Sequence, residues 1–318
     1  MTMPPYTKGL HRVGTHTYAY LQPDGSWGLS NSGLVVDEGE GLLVDTLFTL
    51  ALTEELRSAI AARLPGVEIT TVVNTHDDGD HTFGNQLFAD RTIIGSAAMA
   101  AHLAASPSAD YFRALIERAV GGEAPGALET FVRERMGSFD LSGIEMTPPN
   151  STFAGRREVG VGRQRVHLIQ VGPAHTEGDV LVEVPADGVL FTGDILFAGS
   201  HPVIHSGPVG RWIEACELIE GMAVETVVPG HGPVTGKPAV RRLRGYLERV
   251  AEHAERGLRA GLSVSEAAGR FPLEEYADWT DPERIVLNIG AVYRELGAED
   301  GDFAELFVQT AEFWAGRR

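Results

Sequence analysis

Positive charge is scarce in this chain of 318 residues: 26 Lys and Arg stand against 44 Asp and Glu, a formal charge of −18. Nucleic-acid binders need clustered cations that displace counterions, so no nucleic-acid partner is expected. Lysine itself occurs only at Lys8 and Lys237, a compositional bias with no function attached. The single cysteine, Cys216 in W-I-E-A-C-E-L-I, excludes an internal disulfide framework and suits the apolar face of a helix. No apolar run approaches the roughly 20 residues of a membrane helix, so no membrane partner is expected. Met1 to Lys8 lacks a basic region followed by an apolar stretch, which argues against a secretory signal and for a cytoplasmic location. The G-x-S-x-G elbow is missing as well, and no serine or cysteine stands in a convincing triad.

What is present is the composition of a soluble globular chain, 43% hydrophobic and 22% charged, long enough for one core plus an appendage. Residues 15–21, 30–36 and 41–44 read as short strands punctuated by turns, an antiparallel meander. Leu52, Leu56, Ile60 and Leu64 recur every four positions and predict a helix that ends at Pro65-Gly66. A strand over 67–73, a short helix over 83–88, and a second strand and helix over 92–95 and 96–103 follow. Residues 105–149 interrupt the pattern as an insertion of two helices, 111–120 and 128–136, joined by the Gly- and Pro-bearing stretch 121–126. Such a hairpin is either a lid or a cover for a sheet edge. Strands over 152–159, 165–171, 180–184 and 189–192, with Asp187-Gly188 as a turn, then a helix over 211–222 and a strand over 226–228, repeat the first half.

Two meanders, each followed by helices, predict an α/β fold: a four-layer sandwich of two mixed sheets with helices outside. The catalytic domain is expected over 9–236. Residues 237–318 form a helical extension packed on the core, with apolar stripes through Val240, Leu243, Leu247 and Val250 and through Ile285, Ile289 and Val292. Thr280-Asp281-Pro282-Glu283 fits a capping box for the second stripe. These stripes suit core or a dimer surface, and a homodimer is left open.

The chemistry concentrates in T-H-D-D-G-D-H, which holds His76, Asp78, Asp80 and His81. Four ligand-type side chains in six residues are costly to bury without a cation. His175 in G-P-A-H-T-E-G-D, Asp194 in F-T-G-D and His231 in V-P-G-H-G-P each follow a predicted strand, which brings them to one sheet edge. Two further histidines, His201 and His205, follow Asp194 and are candidates to face a substrate. Thr75, Thr176 and Thr192 adjoin ligands and could orient them. Tyr111, Phe112 and Met136 suit a pocket wall, although such residues more often form core.

On these residues the chain resembles the metallo-β-lactamase-fold superfamily, whose signature H-x-H-x-D-H precedes separate His, Asp and His ligands. The resemblance runs from about residue 9 to residue 236. It implies a first metal site at His76 and His175, a second at Asp80, His81 and His231, and a bridging carboxylate at Asp194. Asp78 departs from it, standing where the family has its second histidine. A hard anionic oxygen there shifts preference from zinc toward iron or manganese and makes the bound metal a weaker Lewis acid. The expected cofactors are two divalent ions, zinc first, with iron or manganese admitted by Asp78. The expected activity is metal-dependent hydrolysis of a small ester, lactone, thioester or amide. A metal-bound hydroxide would attack, and Asp80 would orient or deprotonate the water. A diiron oxygen- or redox-active enzyme, resembling the flavodiiron proteins, and a non-catalytic metal-binding protein are the alternatives.

Overall fold

The structure is a computed structural model that describes residues 3–103, 108–122, 125–298 and 302–318. A seven-stranded sheet runs in chain order: β1 Gly9–Arg12, β2 Thr17–Leu21, β3 Ser32–Asp37, β4 Glu40–Val44, β5 Glu68–Val73, β6 Thr92–Ser96 and β7 Ser151–Phe153. Its first four strands are antiparallel; β4 to β7 are parallel. The second sheet holds β8 Arg156–Val161, β9 Gln164–Gln170, β10 Val180–Val184, β11 Val189–Phe191 and β12 Thr226–Val228, in the order β12-β11-β10-β9-β8. Only its β11–β12 pair is parallel. Both sheets are mixed, as two meanders closed by helical crossovers require.

Strand periodicity places the core. Ala19 and Leu21 of β2 and Leu42 and Val44 of β4 meet Leu168, Val180, Val182 and Phe191 between the sheets. The alternate residues Tyr18, Tyr20 and Leu43 face the other way and pack with Leu56 and Ile60 of α1, Leu50–Arg63. Thr49 caps α1 by accepting from the Leu52 amide at 3.0 Å. Outside the second sheet, Ile169, Leu181 and Leu190 are covered by Trp212, Cys216 and Ile219, three residues of the helix Val209–Gly221. The result is the four-layer α/β sandwich that the repeat predicts.

The helices between β5 and β7 are α2 Gly79–Thr82, α3 Ala97–Leu103, α4 Ala109–Gly121 and α5 Ala127–Met136; α6 is Val209–Gly221. The insertion therefore contributes α4 and α5, while residues 105–107 and 123–124 of the expected segment lie outside the described residues. The predicted helix over 83–88 is corrected. The helical turn starts earlier, with Asp78 at its N-terminal boundary, and Asn85–Phe88 is a separate 3-10 turn. Asp80 and His81 consequently ride on a helical turn.

The C-terminal helices are α7 Lys237–Arg259, α8 Val264–Gly269, α9 Ile285–Glu295 and α10 Phe303–Ala315. Their apolar faces, Val240, Leu243, Tyr246, Ile289 and Leu306 among them, share one buried cluster with Trp212 and Leu190. The capping box expected at Thr280 does not form. Asp281 takes a left-handed conformation (φ 56°), its carboxylate accepts from Ser26 at 2.6 Å, and Glu283 accepts from the Trp27 indole at 3.2 Å. Both acids are diverted into a buried tie between the chain's two ends. Among the described residues, no helix is long and apolar enough to cross a membrane.

Candidate metal centre

All seven ligand-type residues leave strand ends on one rim of the sandwich. His76 to His81 follow β5, His175 follows β9, Asp194 follows β11 and His231 follows β12. His76, Asp78, His175 and Asp194 form one group and Asp80, His81 and His231 another, the donor atoms within each lying no more than 4.8 Å apart. Asp78 Oδ2 stands 3.2 Å from His175 Nε2 and 3.8 Å from His76 Nε2. Asp80 Oδ2 stands 3.3 Å from His231 Nε2. Asp194 lies between the groups: Oδ1 is 3.2 Å from His81 Nε2, and Oδ2 is 3.3 Å from His231 Nε2 and 3.5 Å from His175 Nε2.

Each imidazole is held from behind. His175 Nδ1 donates to the Val203 carbonyl at 2.6 Å, and His231 Nδ1 to the Gly25 carbonyl at 2.9 Å. His81 Nδ1 donates to Asp45 at 3.0 Å. His76 Nδ1 donates to Thr75 Oγ1 at 2.9 Å, and that hydroxyl passes its own proton to Asp45 at 2.7 Å. Every Nδ1 is engaged outward, so every Nε2 is left to the cluster, the arrangement that fixes tautomer and ring in metal sites.

Two glycines make the approach close enough. Gly193 has φ +49°, and a Cβ there would strike Thr75; a Cβ on Gly230 would strike Asp194. The F-T-G-D and V-P-G-H-G-P motifs thus pair a ligand with the one residue type that lets its neighbour come near.

The donor set fits cations. His76 Nε2, His81 Nε2 and Asp194 Oδ1 are buried and make no hydrogen bond among the described residues, a cost that a cation would remove. Burial opposes charge on His175 and His231, yet Asp78 and Asp194 beside the first, and Asp194 and Asp80 beside the second, raise both to about 9. Burial would likewise raise Asp194, but His231 and His81 hold it well below the usual carboxylate range. His76, desolvated and beside His81, falls to about 3. The carboxylates that favour a proton on His175 and His231 would equally favour a cation there.

A cavity of about 290 Å³ opens onto the cluster. Asp78, Asp80, His175, Asp194 and His231 line its floor, and Tyr111, Phe112 and Met136 of the insertion line its wall, as do Trp27, Arg284, Phe303 and Phe307. His205 also lines it, with Nε2 3.3 Å from Asp78 Oδ2. The placement of His201 is a correction. Its ring is fully buried among Tyr246, Tyr276 and Trp279, bonded to the Tyr246 hydroxyl at 3.1 Å, and it does not line the cavity. Burial, reinforced by Arg284, lowers its pKa to about 4.

Thr176 turns out to bind Asp179 rather than a ligand, through its amide at 3.0 Å and its hydroxyl at 2.7 Å, closing the loop that carries His175. Thr192 donates to backbone carbonyls. The roles of Asp45 and Asp179 escaped the sequence reading: Asp45 is a lone acid at a strand end with no ligand spacing around it, and Asp179, although inside G-P-A-H-T-E-G-D, takes its role from the turn it closes with Thr176 and not from spacing.

This rim of paired His and Asp clusters between two mixed sheets is that of a metallo-β-lactamase-like protein. The chain belongs to the Metallo-beta-lactamase superfamily, whose pattern matches residues 25–231. It is 24% identical over 202 residues, 62% of this chain and 51% of the relative, to the 2,4-dinitroanisole O-demethylase subunit alpha of Nocardioides sp. (strain JS1661). Its structure resembles the stereoselective inverting sec-alkylsulfatase Pisa1 from Pseudomonas sp. (TM-score 0.70, 16% identity, 94% of this chain and 52% of that one). It also resembles the DIM-1 metallo-beta-lactamase (TM-score 0.53, 19% identity, 78% of this chain and 99% of that one). These structural likenesses show the fold. The chain spans about half the length of the O-demethylase subunit and of the alkylsulfatase.

Proposed function

We propose that this protein is a metal-dependent hydrolase that cleaves a small ester, lactone, thioester or amide at a two-cation site. The observation that carries the reading is Asp194, whose two carboxylate oxygens each stand 3.2–3.3 Å from an imidazole of the second group while Oδ2 also reaches His175 of the first. His76, Asp78, His175 and Asp194 would hold one cation, and Asp80, His81 and His231 the other. Bound divalent ions would acidify water to about neutral pH and polarise the electrophile's oxygen.

The chain's own groups do the rest. Asp80, whose side chain keeps 15% of its surface open at the cavity floor, accepts the proton of the attacking water at a carboxylate oxygen. The water oxygen bonds to the acyl carbon, the bond to the leaving heteroatom breaks, and that heteroatom takes up a proton. His205, with Nε2 against Asp78, holds that carboxylate in place. The apolar wall stands over this floor.

The O-demethylase relative supports a second reading, hydrolysis of an activated aryl ether at the same site. Elemental analysis of protein purified without added metal, followed by a screen of chromogenic esters, lactones, thioesters and aryl ethers, tests both. Zinc or manganese with hydrolytic turnover is the expected result. Two irons with an oxygen-sensitive optical band and no hydrolysis would overturn it in favour of redox chemistry, and absence of any bound metal would overturn both.

A further inference from the structure

The lining of the cavity pairs off its basic groups. His102 Nδ1 meets Asp77 at 2.7 Å, His205 Nε2 meets Asp78 at 3.3 Å, and His231 meets Asp80 and Asp194. Arg284, the one arginine or lysine among the described lining residues, is 2% exposed. Its guanidinium lies 4.5 Å from the centre of Trp27 and 5.5 Å from that of Phe197, donates to the His201 carbonyl at 2.9 Å and stands 3.5 Å from Asp281. Its charge is paired with Asp281 and one Nη donates to a carbonyl, which leaves the buried Nε–H as its unpartnered donor and no free pair of Nη donors for an anion. Three ligand carboxylates offset most of the charge that two divalent cations would bring. An anionic substrate would lose its hydration here without gaining a side-chain counterion.

The wall is aromatic. Phe48 meets Phe112 at 6.2 Å and 74°, and Trp27 meets Phe307 at 5.7 Å and 72°, edge-to-face pairs that hold one another rigid. Phe303 lies 5.1 Å from His205, the histidine on Asp78, one contact away from that carboxylate. It comes from α10, beyond the matched residues 25–231.

Resting on the hydrolase reading above, we propose that the site takes uncharged aryl substrates. The aromatic group lodges among Trp27, Phe48, Phe112 and Phe303, and Phe303 sets the size it accepts. A cavity of about 290 Å³ suits one ring or a fused pair with short substituents.

The test has a binding arm and a turnover arm, both with the protein as purified. Fluorescence titration with 2-naphthol and with 2-naphthalenesulfonate should show the neutral compound binding about tenfold tighter or more. Phe303→Trp should weaken naphthol by a similar factor, and Phe303→Leu, which keeps bulk without the ring, should weaken it less. In turnover, phenyl acetate should exceed 4-carboxyphenyl acetate in kcat/KM, although the latter has the better leaving group. Equal or tighter binding of the sulfonate, or naphthol affinity unmoved in Phe303→Trp, overturns the proposal whatever the turnover result. Naphthol selectivity with no ester hydrolysed would instead leave this cavity assignment standing and remove the hydrolase reading.

Discussion

Asp45 accepts a hydrogen bond from Nδ1 of His81 at 3.0 Å. The same carboxylate takes the Thr75 amide and hydroxyl, each at 2.7 Å, and through that hydroxyl it braces His76. One acid at the end of β4 thus aims one imidazole of each ligand group. It does so from a left-handed backbone conformation (φ 62°), whose cost of about 1–2 kcal/mol the three hydrogen bonds offset.

Asp45→Ala should therefore weaken cation binding without touching a ligand. Loss of an outer partner of a ligating histidine typically costs about 10–100-fold in metal affinity or activity. Chelator competition on the folded variant measures it, and affinity within twofold of the parent would show that Asp45 is not a positioning group.

Asp194→Ala and His81→Ala test the shared cluster itself. Each should lose bound metal and turnover together while far-UV circular dichroism stays unchanged, because Asp194 interacts with histidines of both groups. Exhaustive chelation should mimic the variants in the parent protein, and re-addition of the metal should restore only the parent. Full activity in either variant would count against the site.

Much of this was legible in the sequence because period and punctuation carry it. The two meanders, the α1 stripe and the ligand segments past strand ends follow from local patterns, and those patterns are what bring His76, His175, Asp194 and His231 to one rim. Partners set by tertiary contact were not legible. His201 and His205 sit four residues apart in one loop, yet one ring packs under α7 and the other lines the cavity. Trp27 and Arg284, 257 positions apart, meet face to cation only because the turn ahead of α9 is tied to the loop after β2 through Ser26–Asp281 and Trp27–Glu283. No spacing rule reports such pairs.

His201 supplies a stability prediction. The unfolded chain protonates this histidine near its ordinary 6.5, whereas the folded protein resists until about 4. A lowered histidine makes the folded state lose ground as pH falls from about 6.5 toward 4, by roughly 2–3 kcal/mol at the lower end. His201→Phe should be the less stable protein at pH 7.5, and the gap should shrink by about 2 kcal/mol at pH 4.5, as read from urea unfolding. A gap that is constant with pH would show that His201 titrates normally. Because the ring lies outside the cavity, kcat/KM at pH 7.5 should change no more than a few-fold; a loss of about a thousandfold would return it to the catalytic groups.

Asp78→His asks what the departure from the family pattern does. The aspartate oxygen sits 3.2 Å from His175 and 3.3 Å from His205, and these two imidazoles outweigh burial to hold it well below the usual carboxylate range. An imidazole in its place removes one negative charge and a hard oxygen donor from the first group, and it puts a ring against His205 where a carboxylate had been. Softer nitrogen ligation favours zinc over iron or manganese. The variant should accordingly bind zinc more selectively, with iron and manganese affinity falling by about tenfold or more, readable by competitive loading and elemental analysis. If zinc-loaded variant then hydrolyses at least as fast as the parent, Asp78 tunes metal choice. If the metal profile shifts as expected but turnover vanishes, the carboxylate takes part in the reaction. An unchanged metal profile would show that Asp78 does not ligate, and the first group would then rest on His76, His175 and Asp194 alone.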